Sequence, residues 1–442
     1  MDARRLALQT LCACERQGGW SDGVLKKQLA QAGLDSRDAA LATQLCFGVV
    51  QNRILLDFYL SKFSNIPLKR MESKVVYALR LGLFQMLFLT RIPHSAAVNS
   101  AVEMTRETSK NPRAAGMVNG ILRALERNLD QLPLIEQTDT VEYLSTLYSH
   151  PAWLVKLWLE ELGKDETSAL LAANNSAPAI TAQVNTCCIS APALLARLSE
   201  QGVDAQLHPW LPGGLILRDT GSVEQLDSFR KGHFYIQDAA SRLAVMAADA
   251  RPGMQVLDAC AAPGGKSFSL AVAMENRGEV ISCDLHPHKK KLIQAGADRL
   301  GLSVITPMTA DAGQFRPEWQ DRFDLVVADV PCSGLGVIRK KPDIRYKQPE
   351  PLDELPAVQR RIIENVANYV KPGGVLLYST CTLLERENRQ VVEHLLSADP
   401  RFVPEPFTLP EPVGRVENGM ITLWPHRHGT DGFFFAKLRR QA

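Results

Sequence analysis

Two cysteines stand out by their positions. The stretch 328-ADVPCSGLG-336 places Cys332 after a proline, at the end of the apolar run 323-FDLVVADV-330. Further along, 375-VLLYSTCT-382 ends a second apolar run in Cys381. Short apolar runs that stop at turn residues read as buried strands. Side chains just past the ends of such strands face the crevice in which α/β proteins bind ligands. A thiolate there is among the few side chains nucleophilic enough to add to an aromatic carbon. Cys260 and Cys283 read instead as core packing. The residue types leave open whether one thiol works or two, and which attacks.

A third stretch, 257-LDACAAPGGKS-267, runs from a strand through small residues and glycines into a helix. Such a turn lets a ligand approach the backbone closely. It is not a phosphate-binding P-loop, which needs glycine where Cys260 stands, and the dinucleotide fingerprint G-x-G-x-x-G is absent. The next apolar run, 279-EVISCD-284, ends in Asp284, placed to bond ribose hydroxyls. Asp311, in 309-TADAG-313, follows the third run and could accept from an adenine amino group. Each aspartate alone could simply cap a turn. Three strand-end acids, counting Asp329, point together to an adenosine-type cofactor.

These residues need a sheet to hold them. From about residue 239, runs at 254–260, 279–284, 303–308, 323–330 and 374–380 alternate with helical stretches such as 287–301 and 356–370. Lys371-Pro372-Gly373-Gly374 reads as a helix stop. That alternation predicts a parallel, Rossmann-like sheet covered on both faces. Two final strands, 420–425 and 432–438, are expected to close it as an antiparallel hairpin. Residues 1–130 show three- and four-residue apolar spacing (Leu6, Leu8, Leu11; Val118, Ile121, Leu122, Leu125) and read as a helical bundle with junctions at Pro67, Pro93 and Pro112. Basic residues dot its polar faces (Arg106, Lys110, Arg113, Arg123, Arg127). Between lie a linker over about 128–150, a helix over 151–163, and a small α+β module with strands near 179–185, 214–218 and 233–238. The expected domains are 1–130, 131–238 and 239–442.

The chain has 442 residues, 45% of them hydrophobic and 22% charged, with a net charge of +2. That is ordinary globular composition, so a polyanionic partner must be met by local basic patches. One such patch is 339-RKKPDIRYK-347, directly after Cys332, expected to contact RNA. Nine cysteines without C-x-x-C spacing argue against a disulfide framework or a metal site and for a reducing compartment. No membrane-spanning run or signal peptide is evident, and a cytoplasmic location is expected. Nothing signals a stable oligomer.

The strings 234-FYIQDAAS-241, 258-DACAAPGGK-266, 329-DVPCSGLG-336 and 378-YSTCT-382 resemble the motifs of the RNA cytosine-5 methyltransferases, the NOL1/NOP2/Sun family. The stretches 92-IPHSAAVNSAVEMTRE-107 and 117-MVNGILRAL-125 resemble the NusB RNA-binding fold, a fusion similar to bacterial members that modify 16S rRNA. The resemblance implies a multidomain chain: an all-α NusB-like bundle, a small α+β RNA-recognition-like module, and a C-terminal α/β methyltransferase. It implies S-adenosylmethionine as methyl donor, bound by Cys260, Ala261, Ala262, Pro263, Gly264, Gly265, Lys266, Asp284, Asp311 and Asp329, and no metal. It assigns Cys381 as nucleophile, Cys332 as the residue aiding release, and Asp329 to the N3/N4 edge of the cytosine. Lys266 is expected to assist near donor and base. The family often has Asp-Pro-Pro-Cys or Asp-Ala-Pro-Cys where this chain has Asp-Val-Pro-Cys, a change of small apolar residue. Other readings are a tRNA cytosine-5 methyltransferase of the same family and a NusB-like RNA-binding factor with a degenerate catalytic half. DNA cytosine-5 methyltransferases use their Pro-Cys thiol, and on that pattern Cys332 would attack.

Overall fold

The computed structural model describes residues 2–17, 20–218 and 220–442. They form two compact units: Met1–Ser176 with Ile338–Lys347, and Ala177–Val337 with Gln348–Ala442. No single helix among the described residues is long and apolar enough to cross a membrane.

The first unit is helical. Its elements are α1 (Ala3–Gln17), α2 (Ser21–Ala32), α3 (Ser36–Gln51), α4 (Arg53–Phe63), α5 (Ser73–Phe88), α6 (His94–Thr108), α7 (Ala114–Arg127), α8 (Thr140–Tyr148), α9 (Ala152–Leu162) and α10 (Lys164–Asn174). Helix α5 is buried continuously from Val75 to Leu79 and Leu81 to Met86, and serves as the bundle's axis. A helix apolar all round has no solvent face and must be wrapped by others. The segment read as a linker holds α8. Its start is capped by Asp139, whose side chain accepts from the N–H groups of Val141 and Glu142. Leu144 gives the short helix its buried contact.

The ten residues Ile338–Lys347 pack as part of this helical unit. They include the whole basic stretch expected to meet RNA, and the structure corrects that reading for Arg345 and Tyr346. Arg345 is wholly buried. Its guanidinium donates to Gln51 O at 3.0 Å, Ser149 O at 3.1 Å and Asn175 Oδ1 at 2.9 Å. These acceptors sit at the C-terminal ends of α3, α8 and α10, where carbonyls lack helical partners and the dipole is negative. Tyr346 donates to Val50 O at 2.9 Å, and the Arg53 guanidinium lies 3.6 Å over its ring. The charge and the aromatic ring are therefore used inside the fold rather than offered to a ligand.

The second unit begins with a small module: β1 (Ile180–Val184), α11 (Ala191–Glu200), β2 (Asp204–Leu207), β3 (Gly214–Arg218), α12 (Asp227–Arg230) and β4 (Phe234–Ile236). The strands form an antiparallel sheet in the order β2-β3-β1-β4. Then follow α13 (Ala239–Ala248), β5 (Gln255–Asp258), α14 (Gly265–Ala273), β6 (Glu279–Asp284), α15 (Pro287–Leu300), β7 (Ile305–Thr309), β8 (Phe323–Asp329), α16 (Leu355–Ala367), β9 (Val370–Thr380) and α17 (Arg389–Ala398). The chain ends with β10 (Phe402–Pro404), β11 (Phe407–Thr408), β12 (Arg415–Val416), β13 (Met420–Leu423), α18 (Pro425–His428) and β14 (Phe433–Arg440). The main sheet is ordered β10-β14-β9-β8-β5-β6-β7. Strands β5 to β9 are parallel, and β13 and β14 form the expected antiparallel hairpin. Helix α16 stops at Ala367, and Lys371–Gly374 lies within β9, where the pairing to β8 shifts register between Phe323 and Leu325. The glycines that read as a pure helix stop are thus absorbed by an irregularity at the strand's start.

Candidate active site

Strands β8 and β9 run parallel and in register, Leu325 opposite Val375 and Asp329 opposite Ser379. They end level, so the loops that follow leave side by side. Cys332 and Cys381 meet there, with sulfurs 3.3 Å apart, and both are partly exposed. Backbone bonds lock the loops: Val330 N–H to Ser379 O at 3.1 Å, Gly336 N–H to Cys381 O at 2.9 Å, and Gly432 N–H to Gly336 O at 2.8 Å. A Cβ at Gly336 would fall 1.9 Å from Gly432 O, so three chain segments can converge only on a glycine.

The two thiols are shifted in opposite directions. The hydrogen bond from Cys332 holds the Cys381 thiol below its ordinary range, and Lys266 adds to the effect. The same bond pushes Cys332 well above that range, helped by burial and by the carboxylates of Glu387 and Asp329. The contact thus eases ionisation of Cys381 and opposes that of Cys332, and the thiolate is the nucleophilic form of a cysteine.

Asp329 closes β8 beside them. Its Oδ2 accepts from Lys266 Nζ at 2.7 Å and its Oδ1 from Ser379 Oγ at 2.8 Å. Lys266 is only 8% exposed, and its Nζ stands 4.8 Å from the Phe433 ring centre. Asp329 is part-exposed at the crevice, while the buried lysine and the Ser379 bond fix its carboxylate.

The glycine turn follows β5, between β8 and β6. Gly264 has φ +113°, a conformation that side chains rarely adopt, and a Cβ there would come within 2.4 Å of Phe268 Cζ. Gly264 N–H bonds Ala261 O, Ala261 N–H bonds Cys283 O, both at 2.7 Å, and Gln237 Nε2 donates to Gly265 O at 3.0 Å. Cys260 and Cys283 have thiols pushed far up by burial, in keeping with packing rather than reactivity. Asp284 and Asp311 stand at the ends of the neighbouring β6 and β7. Asp284 Oδ1 accepts from His286 N–H at 3.1 Å, and Asp311 Oδ1 from Gly313 N–H at 2.8 Å. Each carboxylate caps its own turn with one oxygen, as aspartates do in loops. The adjacency of all four strand ends is what turn-capping alone does not explain. Lys289 pairs with Asp284 Oδ2 at 3.5 Å.

Beneath the turn, Asp258 is fully buried. Its Oδ2 accepts from Ser267 Oγ at 2.7 Å, and its other oxygen has no partner. Burial pushes its carboxyl up to about 7.

Several residues around the site escaped sequence reasoning. Ser379 and Phe433 lay in runs read only as strand. Glu387, within the charged string 384-LERENR-389, is wholly buried. Single-sequence pattern holds no signal for it, since burial of one acid in a polar run leaves no periodicity.

Comparison with known proteins gives three family matches along the chain. Residues 1–127 match the NusB family, residues 150–224 match the ferredoxin-like domain of RsmF/B-like methyltransferases, and residues 245–439 match "16S rRNA methyltransferase RsmB/F". The chain is 37% identical to the probable ribosomal RNA small subunit methyltransferase B of Bacillus subtilis, covering 99% of this chain and 98% of the relative. It is 32% identical to the protein of the same description from Synechocystis, over the full length of both. Among solved structures, a methyltransferase homolog protein from Pyrococcus horikoshii is 26% identical, with a TM-score of 0.60, over 69% of this chain and 100% of that one.

Proposed function

The chain belongs to the ribosomal RNA small subunit methyltransferase B family, and from that premise we propose that it methylates C5 of a cytosine in 16S rRNA, with Cys381 as nucleophile and S-adenosylmethionine as donor. The observation that supports the reading is the pair of sulfurs 3.3 Å apart, a contact that eases ionisation of Cys381, beside the Lys266–Asp329 pair.

C5 of cytosine is a poor nucleophile. Addition of the Cys381 thiolate to C6 breaks the ring's aromaticity and makes C5 enamine-like, able to take a methyl group. Asp329, fixed by Lys266 and Ser379, accepts from the N4 amino group and so holds the N3/N4 edge, while the Lys266 ammonium beside it offsets the negative charge that the attacking thiolate brings to the ring. S-adenosylmethionine, when bound, supplies the methyl group on a sulfonium. The glycine turn offers main chain unobstructed by a Cβ, Asp284 suits ribose hydroxyls, and Asp311 retains a second oxygen for an adenine amino group, so these residues fit that donor. For release, C5 gives its proton to water, the C–H pair forms the C5=C6 bond, and the Cys381 sulfur leaves C6 as thiolate. The Cys332 thiol stabilises that leaving sulfur by the hydrogen bond already present. A target cytosine must be turned out of its stack to reach the crevice.

The test is to incubate the protein with labelled methyl donor and either naked 16S rRNA or tRNA, then digest the RNA and identify the labelled nucleoside. Label in 5-methylcytidine from 16S rRNA is expected. Label in another nucleoside refutes the chemistry, label in tRNA alone moves the substrate, and no transfer with RNA binding intact favours a NusB-like binding factor.

A further inference from the structure

The Pro331–Ser333 loop is held by a buried carboxylate that takes no part in the chemistry above. Glu387 follows β9 and its carboxylate is fully shielded from solvent. Its Oε2 accepts from Ser333 N–H and from Gln359 Nε2, both at 2.8 Å. The same Gln359 nitrogen donates to Pro331 O at 3.0 Å. The residues on either side of Cys332 are thus gripped by one bonded pair, Glu387 and Gln359. The main chain of Glu387 is fixed in turn, its carbonyl accepting from Tyr378 OH at 2.6 Å.

The residues flanking Cys381 are held by a different side chain, Asn388, which accepts from Thr380 Oγ1 and donates to Thr382 O. Cys381 continues strand β9, and its carbonyl accepts from Gly336 N–H. The clamp therefore acts on one thiol of the two. The loops also meet through side chains: the hydroxyls of Ser333 and Thr382, each next after a cysteine, are 2.6 Å apart. Burying a carboxylate is costly, and here its second oxygen has no partner. A role in packing alone would be filled more cheaply by a neutral side chain. A fixed negative charge next to Cys332 also favours the protonated form of that thiol.

We propose that Glu387 is a positioning residue for the release step: by gripping the backbone around Cys332 it aims that thiol at the sulfur leaving C6, so that product release depends on it and attack by Cys381 does not. The proposal rests on the reading of Cys381 as nucleophile and Cys332 as the releasing thiol. It adds no step to that reaction. The proton still leaves C5 for water and the C6–S pair still departs with Cys381.

The test uses the full chain with naked 16S rRNA and labelled donor, comparing wild type, Cys332→Ala, Glu387→Ala, Glu387→Gln and Gln359→Met. Three readouts are taken: steady-state turnover, methyl transferred in a single turnover, and protein–RNA adduct on a denaturing gel. Glu387→Ala and Gln359→Met are expected to slow turnover about tenfold or more, as misaiming a reacting group does. They should transfer the first methyl as wild type does and accumulate adduct as Cys332→Ala does. Glu387→Gln, which keeps one acceptor oxygen, should show a smaller effect of the same kind. If adduct and first-turnover transfer fall together with turnover, or turnover is unchanged, the proposal is overturned. Should thermal melting show Glu387→Ala unfolded, Gln359→Met decides by the same criteria. A Cys332→Ala control without adduct overturns the thiol assignment and this proposal with it. A control with adduct beside clamp variants without it overturns this proposal alone.

Discussion

Gly264→Ala tests the donor turn at its most constrained point. The added Cβ meets two obstacles. The residue must adopt φ +113°, at about 1–3 kcal/mol for a residue with a side chain. The Cβ must also share space with the Phe268 ring, whose nearest atoms would stand at 2.4, 2.9 and 3.0 Å. Overpacking of that kind costs about 1–3 kcal/mol. Pro263, next to it in the turn, is exposed, so the turn can shift and relieve part of both. A shift carries the Pro263–Gly265 main chain away from the ligand, and the loss moves from folding into binding. About 2–4 kcal/mol of lost binding corresponds to roughly 30- to 1000-fold weaker affinity for S-adenosylmethionine. Isothermal titration of the donor into wild type, Gly264→Ala and Gly264→Ala/Phe268→Leu reads this directly. Removing the ring should recover the steric share, about half the loss, and leave the backbone share. Donor affinity within about threefold of wild type in Gly264→Ala, with the fold intact, would refute the assignment of this turn to the ligand.

Asp258→Asn should change the pH dependence of stability. Burial raises the folded carboxyl from 3.8 to about 7, so the contribution of this group is complete below 3.8 and lost as pH climbs through 7. The raised value corresponds to at most about 4 kcal/mol, which asparagine does not lose. The melting temperature of Asp258→Asn relative to wild type should therefore rise from pH 4 to pH 8, and a gap independent of pH contradicts the reasoning. Arg345→Met leaves the carbonyls of Gln51 and Ser149 and the side-chain oxygen of Asn175 without their donor, each worth about 1–3 kcal/mol. Urea denaturation should show the helical unit's transition lowered by about 3 kcal/mol or more, while donor binding by the second unit stays unchanged. A variant as stable as wild type would return the 339–347 segment to the solvent.

How much of this was legible depended on whether a feature repeats or stands alone. The parallel strands announced themselves because strands buried on both faces are apolar throughout, and their ends located Asp284, Asp329, Cys332 and Cys381. The register that sets β8 level with β9, and so brings two sulfurs together, is a tertiary fact that neither strand encodes by itself. Helix α8 was masked by its brevity, although Asp139 with the following Thr140-Val141-Glu142 carried a cap signal. The basic string 339–347 misled because composition says charge and position says active site, whereas Arg345 is matched to three carbonyl-rich helix ends distant in sequence. Glu387 was invisible for the same reason: its partners, Ser333 and Gln359, are close only after folding.

The most direct measurement pairs Cys332→Ala with Cys381→Ala, each mixed with 16S rRNA and methyl donor and resolved on a denaturing gel. A thiolate on Cys381 assisted by a thiol on Cys332 predicts a slow-migrating protein–RNA adduct in Cys332→Ala and neither adduct nor methylation in Cys381→Ala. Adduct in Cys381→Ala and none in Cys332→Ala would contradict it and make the Pro-Cys thiol the nucleophile.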